Sequence, residues 1–293
     1  MYEAFYGLRE RPFELTPDPR YLFLTAKHAE ALTTLQYGSC RRNGVTLLIG
    51  DAGTGKTTLV HAALEAQRGS HAFCVYLTNP ALTRDEFFEF LAVRFGLSHE
   101  AAASKSRFLL DLSCMLAGRQ SSGGVSALII DEAQCLPDGL LEEVRLLANI
   151  ESATEKLLSI ILIGQPELAD RLNAPSLRQL KQRVALRCTL SALTCEEAAT
   201  YVDTRIRVAG GDAGSLFTHA AVNAIYEGSH GIPRTISVIC ENALISGFAL
   251  KQRPIDSDIV KEVCRDFDLE VPAPIVASVA ASVELEPRRS SFF

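Results

Sequence analysis

Short apolar runs alternate with segments of helical periodicity through the first two thirds of the chain. The runs contain few polar residues, which is typical of strands that are buried on both faces of a sheet. The helical segments between them favour parallel pairing through crossovers, so the pattern predicts an α/β fold with helices on both faces of a parallel sheet. The predicted strands are residues 45–50, 73–78, 126–131, 158–164 and 184–190.

The predicted helices form two groups, one before and one after residue 190. One helix of the first group opens with a capping box at 83–86, and the first helix of the second group opens with another at 194–197. No strand pattern follows residue 190, so the second group predicts a small all-helical domain. The other predicted helices are 26–41, 58–64, 105–118, 138–149 and 166–173 in the first group, and 218–227, 233–250 and 256–267 in the second.

These patterns divide the chain into four predicted parts. Residues 1–44 are an N-terminal segment and a helix leading into the core, 45–190 are the α/β core, and 191–268 are the helical domain. From 269 to 293 the composition changes to Pro, Ala, Ser and Val, which predicts a flexible tail.

Composition and charge narrow the classes of protein to which the chain can belong. With 47% hydrophobic residues among 293 the chain can bury a large core, and its net charge of −6 disfavours binding to nucleic acid through an overall basic field. The eight cysteines include no C-x-x-C pair, which leaves zinc and thioredoxin-like sites without support and fits a reduced compartment. The sequence has no signal peptide pattern and no apolar run of the roughly 18–20 residues that span a bilayer. We therefore expect a cytoplasmic protein that does not insert directly into a membrane.

Residues 50–57 match the phosphate-binding pattern G-x-x-x-x-G-K-[ST], known as the P-loop. They lie between a predicted strand, here called the P-loop strand, and a predicted helix, as that motif requires. Glycines let the backbone N–H groups of such a loop point at a phosphate, and the helix N-terminus adds partial positive charge. Lys56 can reach the β- and γ-phosphates of a nucleotide, and the Thr57 hydroxyl can bind Mg²⁺. The alternative is a chance match, which the flanking strand and helix disfavour. The predicted phosphate-binding residues are Gly50, Asp51, Ala52, Gly53, Thr54, Gly55, Lys56, Thr57 and Thr58.

Two acids follow the apolar run at 127–130, and they predict the hydrolytic machinery. A carboxylate at the end of a strand adjacent to the P-loop strand can hold Mg²⁺ directly or through water, and this role falls to Asp131. Glu132 can act as the general base that activates a water. The alternative is an acidic pair that only begins a surface loop.

Three further positions are candidates for contact with the γ-phosphate. Gln165 follows the strand at 158–164, where it can orient the attacking water or sense the phosphate, unless it is only a polar helix cap. Arg183, with Arg178 as second choice, can reach a neighbouring subunit's γ-phosphate, although the basic run that also holds Lys181 and Arg187 fits a solvated helix face equally well.

Arg234 follows Gly231 and Pro233 at the start of a predicted helix of the helical domain. From the first helical turn it can reach back to the phosphates; the alternative is a surface arginine. The segment before the P-loop, including Phe13, Pro17 and Tyr37, is the expected neighbourhood of adenine contacts, and no single residue in it stands out. We expect the six histidines to be surface or ordinary core residues, because their spacing does not suit a metal.

The order of these motifs resembles that of AAA+ ATPases and, more narrowly, of the general secretion pathway protein A (ExeA-like) family. Residues 5–22, 131–134, 164–168 and 231–234 are similar to that family, and the resemblance extends over about residues 1–268. It implies a P-loop αβα sandwich followed by a helical lid, with ATP and Mg²⁺ bound between them. It also implies assembly into a homo-oligomer in which Arg183 acts in trans, and service to secretion, exopolysaccharide-export or envelope-assembly systems.

The sequence departs from that family because it contains no transmembrane segment and no peptidoglycan-binding region. We therefore expect a stand-alone form that reaches the inner membrane, if at all, through a membrane-anchored export component. Residues 260–269 look similar to stand-alone relatives found with exosortase and exopolysaccharide systems.

Two other classes of function remain open from the sequence. One is a DNA-directed AAA+ ATPase of the transposition-helper type, for which the basic run at 178–187 and the Arg41–Arg42 pair would be the footprint. The other is a nucleotide-gated scaffold without turnover, against which the intact Lys56, Asp131 and Glu132 argue.

Overall fold

The computed structural model describes residues 1–15, 18–41, 44–68, 71–153 and 155–269. The strands are β1 Val45–Gly50, β2 Ala72–Leu77, β3 Val125–Ile130, β4 Ser159–Gly164 and β5 Val184–Leu190. The helices as far as β5 are α1 Tyr2–Tyr6, α2 Ala26–Cys40, α3 Lys56–Ala66, α4 Arg84–Phe95, α5 His99–Ala103, α6 Lys105–Ser121, α7 Asp138–Leu147, α8 Pro166–Leu172 and α9 Arg178–Lys181. Those after β5 are α10 Cys195–Val208, α11 Ala213–Leu216, α12 His219–Ser229, α13 Pro233–Ala249 and α14 Ser257–Asp266.

The five strands form one parallel sheet in the order β2-β3-β4-β1-β5. Each predicted strand is confirmed to within one residue at either end. The expectation that the strand ending before Asp131 is adjacent to the P-loop strand is wrong, because β4 pairs with both β1 and β3 and separates them. All five strands end at the same edge of the sheet, so residues that follow β1, β3 and β4 still converge there.

Helices cover both faces of the sheet, and the alternation of side chains along β1 shows why. Leu47 belongs to a core cluster with Phe87 of α4 and Phe108 of α6. The next residue, Leu48, points the other way and packs with Leu35 of α2. Because successive side chains of a strand point to opposite faces, an uninterrupted apolar run needs a helical layer on each side.

The helices after β5 build a separate core that also takes in the first residues of the chain. Tyr2 and Tyr6 of α1 are buried in that core, and the Tyr2 hydroxyl donates to Glu241 Oε2 on α13 at 2.6 Å. The ring of Phe5 meets that of Phe248 edge-on at 5.5 Å. The structure therefore confirms the predicted fold class, a parallel α/β core and a helical part, and adds α1 to the helical part.

Local signals set where several helices begin. Both predicted capping boxes are present, at Thr83 with Glu86 before α4 and at Thr194 with Glu197 before α10. Among the described residues no helix combines the length and apolar character that crossing a bilayer requires. The predicted tail lies outside the described residues from 270 onward, as does Pro17.

Candidate functional site

The loop between β1 and α3 has the backbone geometry of a phosphate-binding loop. Gly53 and Gly55 have φ angles of 80° and 96°, in the left-handed region that glycine adopts most easily. The buried Thr54 hydroxyl donates to the carbonyl of Asp51 at 2.8 Å and holds the turn closed. Helix α3 then begins at Lys56, so the loop ends on a helix N-terminus, where anions are stabilised.

Lys56 lies against this loop and is only 5% exposed. Its Nζ donates to the carbonyls of Gly50 at 2.8 Å and Asp51 at 2.9 Å. Burial lowers the pKa of the ammonium group, while the carboxylates of Glu132 and Asp131 act in the opposite direction. The positive charge is therefore held where the sequence predicts a phosphate group.

Asp131 is buried at 3% exposure and accepts three hydrogen bonds at the end of β3. Its Oδ2 receives the hydroxyls of Thr57 and Tyr76, each at 2.8 Å, and its Oδ1 receives the backbone N–H of Glu132 at 2.9 Å. Burial is the main cause that raises the pKa of Tyr76, and the charge of Asp131 raises it further, so the hydroxyl remains a donor. Sequence reasoning missed Tyr76, because nothing in the apolar run of β2 marks it as a partner of Asp131.

The pairing of Thr57 with Asp131 suits Mg²⁺, which prefers hard oxygen ligands and keeps several waters. The described residues contain no group of three or more His, Cys, Asp or Glu side chains that could hold a metal by themselves. Mg²⁺ at this place would depend on phosphate oxygens and water for its other ligands, as it usually does in nucleotide sites.

Glu132 and Gln165 meet above the ends of β3 and β4. The Gln165 Nε2 donates to Glu132 Oε2 at 3.3 Å. Gln165 occupies the N-cap position of α8, but its side chain makes no capping hydrogen bond. The side chain is therefore turned towards the acidic pair instead of the helix, which disfavours the alternative of a simple cap.

Helix α13 brings Arg234 to the P-loop. The Arg234 backbone N–H donates to the carbonyl of Gly53 at 3.2 Å. A Cβ atom at Gly53 would lie 2.9 Å from both Arg234 Cβ and Ile232 Cγ2, so this contact needs glycine. The helical part and the loop enclose a cavity of about 410 Å³, here called the P-loop cavity. Its lining includes Ala52, Gly53, Gly55, Lys56, Thr57, Thr58, Glu132, Tyr201, Arg205 and Arg234.

Comparison with known proteins agrees with this geometry. Residues 40–172 match a family model described as an AAA domain. The chain is 40% identical over 250 residues to general secretion pathway protein A of Aeromonas hydrophila, an alignment that covers 85% of this chain and 45% of that protein. The chain contains an AAA domain and resembles general secretion pathway protein A. It spans about half the length of that relative.

Solved structures show the same fold as this chain. The ORC2 protein of Aeropyrum pernix in ADPNP–ADP complexes is 18% identical, with a TM-score of 0.62 over 89% of this chain and 72% of that one. Cdc6p of Pyrobaculum aerophilum is 15% identical, with a TM-score of 0.63 over 87% of this chain and 70% of that one. The RuvB branch migration motor of Thermotoga maritima is 16% identical, with a TM-score of 0.55 over 82% and 68%. At these identities the likeness concerns the fold alone.

A smaller apolar cavity of about 80 Å³ adjoins the P-loop. Of the residues named in the expected adenine neighbourhood before the P-loop, Phe13 is buried in the core of the helical part, and Tyr37 is 47% exposed on α2. Neither residue lines the smaller cavity. The residues that line it include Tyr21, Leu22, Phe23, His28, Leu193, Tyr201 and Pro233.

His28, expected to be an ordinary histidine, binds the P-loop. Its Nε2 lies 3.1 Å from the carbonyl oxygen of Thr54, and its Nδ1 lies 2.8 Å from Thr25 Oγ1. The residue is 5% exposed. No local pattern in the sequence signals this contact, since its partner lies 26 residues further along the chain.

Arg205 of α10 is another residue that sequence reasoning missed. Its guanidinium lies 4.8 Å from the ring centroid of Tyr21 and 5.5 Å from that of Tyr201. It also donates to the carbonyls of Pro12 at 2.6 Å and Glu14 at 3.0 Å. Arg205 therefore fastens the N-terminal segment to the helical part, next to both cavities.

Arg178 and Arg183 are not brought to the P-loop of their own chain. Both are exposed. The Arg183 carbonyl accepts the backbone N–H of Val45 at 3.1 Å, at the edge of the sheet where β1 begins. The P-loop lies at the other end of β1, which is six residues long. Within one chain Arg183 and the predicted phosphate site therefore lie at opposite edges of the sheet.

Proposed function

We propose that this AAA+ protein binds Mg·ATP at residues 50–57 and hydrolyses it, acting as a motor or switch for a secretion, exopolysaccharide-export or envelope-assembly system. The observation that carries the proposal is the meeting of four predicted groups at one sheet edge. Lys56, Thr57, Asp131 and Glu132 come from two separate stretches of sequence, and hydrogen bonds join Thr57 to Asp131 and Asp131 to Glu132.

In the proposed reaction each of these residues has one task. Lys56 and the loop N–H groups hold the β- and γ-phosphates, and Thr57 with Asp131 provides oxygen ligands for Mg²⁺. Mg²⁺ would neutralise charge that develops on the phosphate oxygens. Glu132 takes the proton of the attacking water, and Gln165 positions that water or senses the γ-phosphate.

The base of the nucleotide fits the smaller cavity, whose apolar and aromatic walls adjoin the P-loop. Tyr21 and Phe23 of the N-terminal segment line it together with Leu193 and Pro233 of the helical part. Rings and aliphatic side chains of this kind are the usual partners of a planar base. Arg234, at the start of α13, is the proposed contact from the lid to the phosphates.

We further propose that the active form is a homo-oligomer in which Arg183, or Arg178 in its place, reaches the γ-phosphate of a neighbouring chain. The exposure of both arginines supports this arrangement, as does their distance from the P-loop of their own chain. The export role rests on the similarity to general secretion pathway protein A. That relative's name refers to secretion, so we propose a membrane-anchored export component as partner.

The test is ATP turnover per subunit as a function of protein concentration, at fixed Mg²⁺ and salt. We expect the rate per subunit to rise with concentration, because an arginine from a neighbour completes the site. A flat rate would contradict assembly of the chain with itself. Complete absence of turnover with tight ATP binding would favour a nucleotide-gated scaffold.

A DNA-directed ATPase is the second candidate function. The observation that favours it is that Arg178, Lys181, Arg183 and Arg187 are all exposed. If this candidate is right, duplex DNA should stimulate turnover, and the stimulation should fall steeply as salt rises. Turnover that is independent of DNA at low salt would exclude it.

A further inference from the structure

The predicted general base is held by two amides that share one of its oxygens. The Glu132 Oε2 accepts hydrogen bonds from Gln134 Nε2 and from Gln165 Nε2. No described residue donates to Glu132 Oε1, and Glu132 lines the P-loop cavity. One oxygen of the carboxylate is thus anchored, and the other is left to accept a proton.

The orientation of the Gln134 amide follows from its other contacts. Its Oε1 accepts the backbone N–H of Gln165 at 3.1 Å, so only its NH₂ group can face Glu132. The backbone carbonyl of Gln134 accepts Arg171 Nη1 at 2.6 Å. Gln134 is therefore fixed both through its backbone and through its side chain, and it connects the ends of β3 and β4.

The end of β4 is shaped to receive this amide. A Cβ atom at Gly164 would lie 2.8 Å from Gln134 Oε1 and 2.7 Å from Leu168 Cδ2. A side chain at this position would push the Gln134 amide away from the strand. The absence of a Cβ at Gly164 keeps the amide within reach of both Gln165 and Glu132.

The backbone of Glu132 explains why its side chain needs support. Its φ of 51° lies in the left-handed region, which non-glycine residues rarely occupy. This conformation turns the chain sharply after Asp131 into the short 3-10 turn Ala133–Cys135. Hydrogen bonds from Gln134 within the turn and from Gln165 after β4 then determine where the carboxylate lies.

We propose that Gln134 is the positioning residue of the general base: its amide fixes Glu132 Oε2 against the end of β4 and ties the base to Gln165. The inference rests on the proposed ATP hydrolysis. Gln134 does not line the P-loop cavity and makes no hydrogen bond to residues 50–57. It should therefore affect the chemical step and leave nucleotide binding unchanged.

The test replaces Gln134 by methionine, which keeps the length of the side chain and removes the amide. In the full-length protein we expect kcat to fall by about ten- to a hundredfold, part of the 10²–10⁴ that a general base contributes. KM and the affinity for a fluorescent ATP analogue should change less than twofold. The matched control is Gln120→Met, which removes an amide bonded to Glu155 Oε2 at 3.2 Å at the opposite edge of the sheet.

A second pair of variants separates positioning from damage to the fold. Gly164→Ala displaces the same amide from the other side, so it should lower kcat in the same way. In a Glu132→Gln background, Gln134→Met should have no further effect on kcat, because the base it positions is gone. A further tenfold loss in that background would show a general structural role and overturn the proposal.

The result also distinguishes this inference from the proposed function. If the unaltered protein hydrolyses ATP and Gln134→Met matches it in kcat, the positioning role is wrong and the proposed function stands. If the unaltered protein shows no turnover at any concentration, the proposed hydrolysis is wrong and the inference falls with it.

Discussion

The charged residues at the two edges of the sheet differ in burial. At the carboxyl edge Lys56 and Asp131 are buried, and each makes at least two hydrogen bonds. At the amino edge Arg183 is exposed. The hydrogen bond and charge of Lys156 lower the pKa of Glu151, and the charge of Arg183 lowers it to a smaller extent. Groups that act within their own chain are held by neighbours, whereas an arginine that serves another chain must remain accessible. In the proposed homo-oligomer, the comparison separates the part of the site that one chain completes from the part that it offers to a partner.

The largest effect should come from the buried lysine. Lys56→Ala should abolish ATP binding and turnover together, since removing a buried, hydrogen-bonded charge from an anion site costs about 2–5 kcal/mol or more. Calorimetric titration with ATP measures the loss. Lys27→Ala, at an exposed position of α2, is the control and should bind normally. Normal affinity in Lys56→Ala would contradict the role assigned to the loop.

Arg183→Ala tests the exposed side of the comparison. We expect ATP binding to be retained and turnover to fall by about 10³–10⁵, the usual contribution of an arginine supplied in trans. Mixing this variant with Glu132→Gln should restore activity, because each chain supplies what its neighbour lacks. Arg187→Ala is the matched exposed control. If mixing restores nothing, the role in trans is wrong for Arg183, and Arg178→Ala should be tried in the same mixture.

Glu132→Gln tests the carboxyl edge of the sheet, where the charged residues are buried. The variant should bind ATP but lower kcat by about 10²–10⁴, the range for loss of a general base. A single-turnover experiment with labelled ATP would show intact nucleotide retained on the protein. Glu142→Gln, at a surface position of α7 paired with Arg145, is the control. Unchanged turnover in Glu132→Gln would remove this residue from the mechanism.

The smallest effect should come from the contact between the N-terminal segment and the helical part. Arg205→Met keeps an apolar stem but loses the stacking on Tyr21 and the hydrogen bonds to the carbonyls of Pro12 and Glu14. A loss of 1–2 kcal/mol there would weaken ATP binding by about 5–30-fold. Arg207→Met, exposed on the same helix, is the control. If the two variants bind ATP with equal affinity, the N-terminal segment does not contribute to nucleotide binding.

The fold and the carboxyl-edge cluster could be predicted because their signals are local. Apolar runs predicted the strands. The phosphate-binding motif at 50–57 and the acidic pair after β3 are each contained in one short stretch of consecutive residues. The strand predicted to lie next to the P-loop strand was wrong, because strand order depends on long-range packing. The contacts of Arg205 with residues 12 and 14 join positions more than 190 apart in the chain, so no window of sequence contains them. The bond from Tyr76 to Asp131, 55 residues further along, and the contact of Gln134 with Gln165, 31 residues away, escaped prediction for the same reason.

The hydrogen bond from Arg234 to Gly53 has a mechanical consequence. The helical part touches the core at the very loop that is predicted to hold the phosphates, so that loop is the joint between the two halves of the molecule. A Cβ at Gly53 would lie 2.9 Å from Arg234 Cβ and Ile232 Cγ2, so the joint has little slack. A rotation of a few degrees in the helical part must therefore stretch this bond or move the loop. In the proposed homo-oligomer, the angle of each helical part would report what its own loop holds, without any relay between the chains.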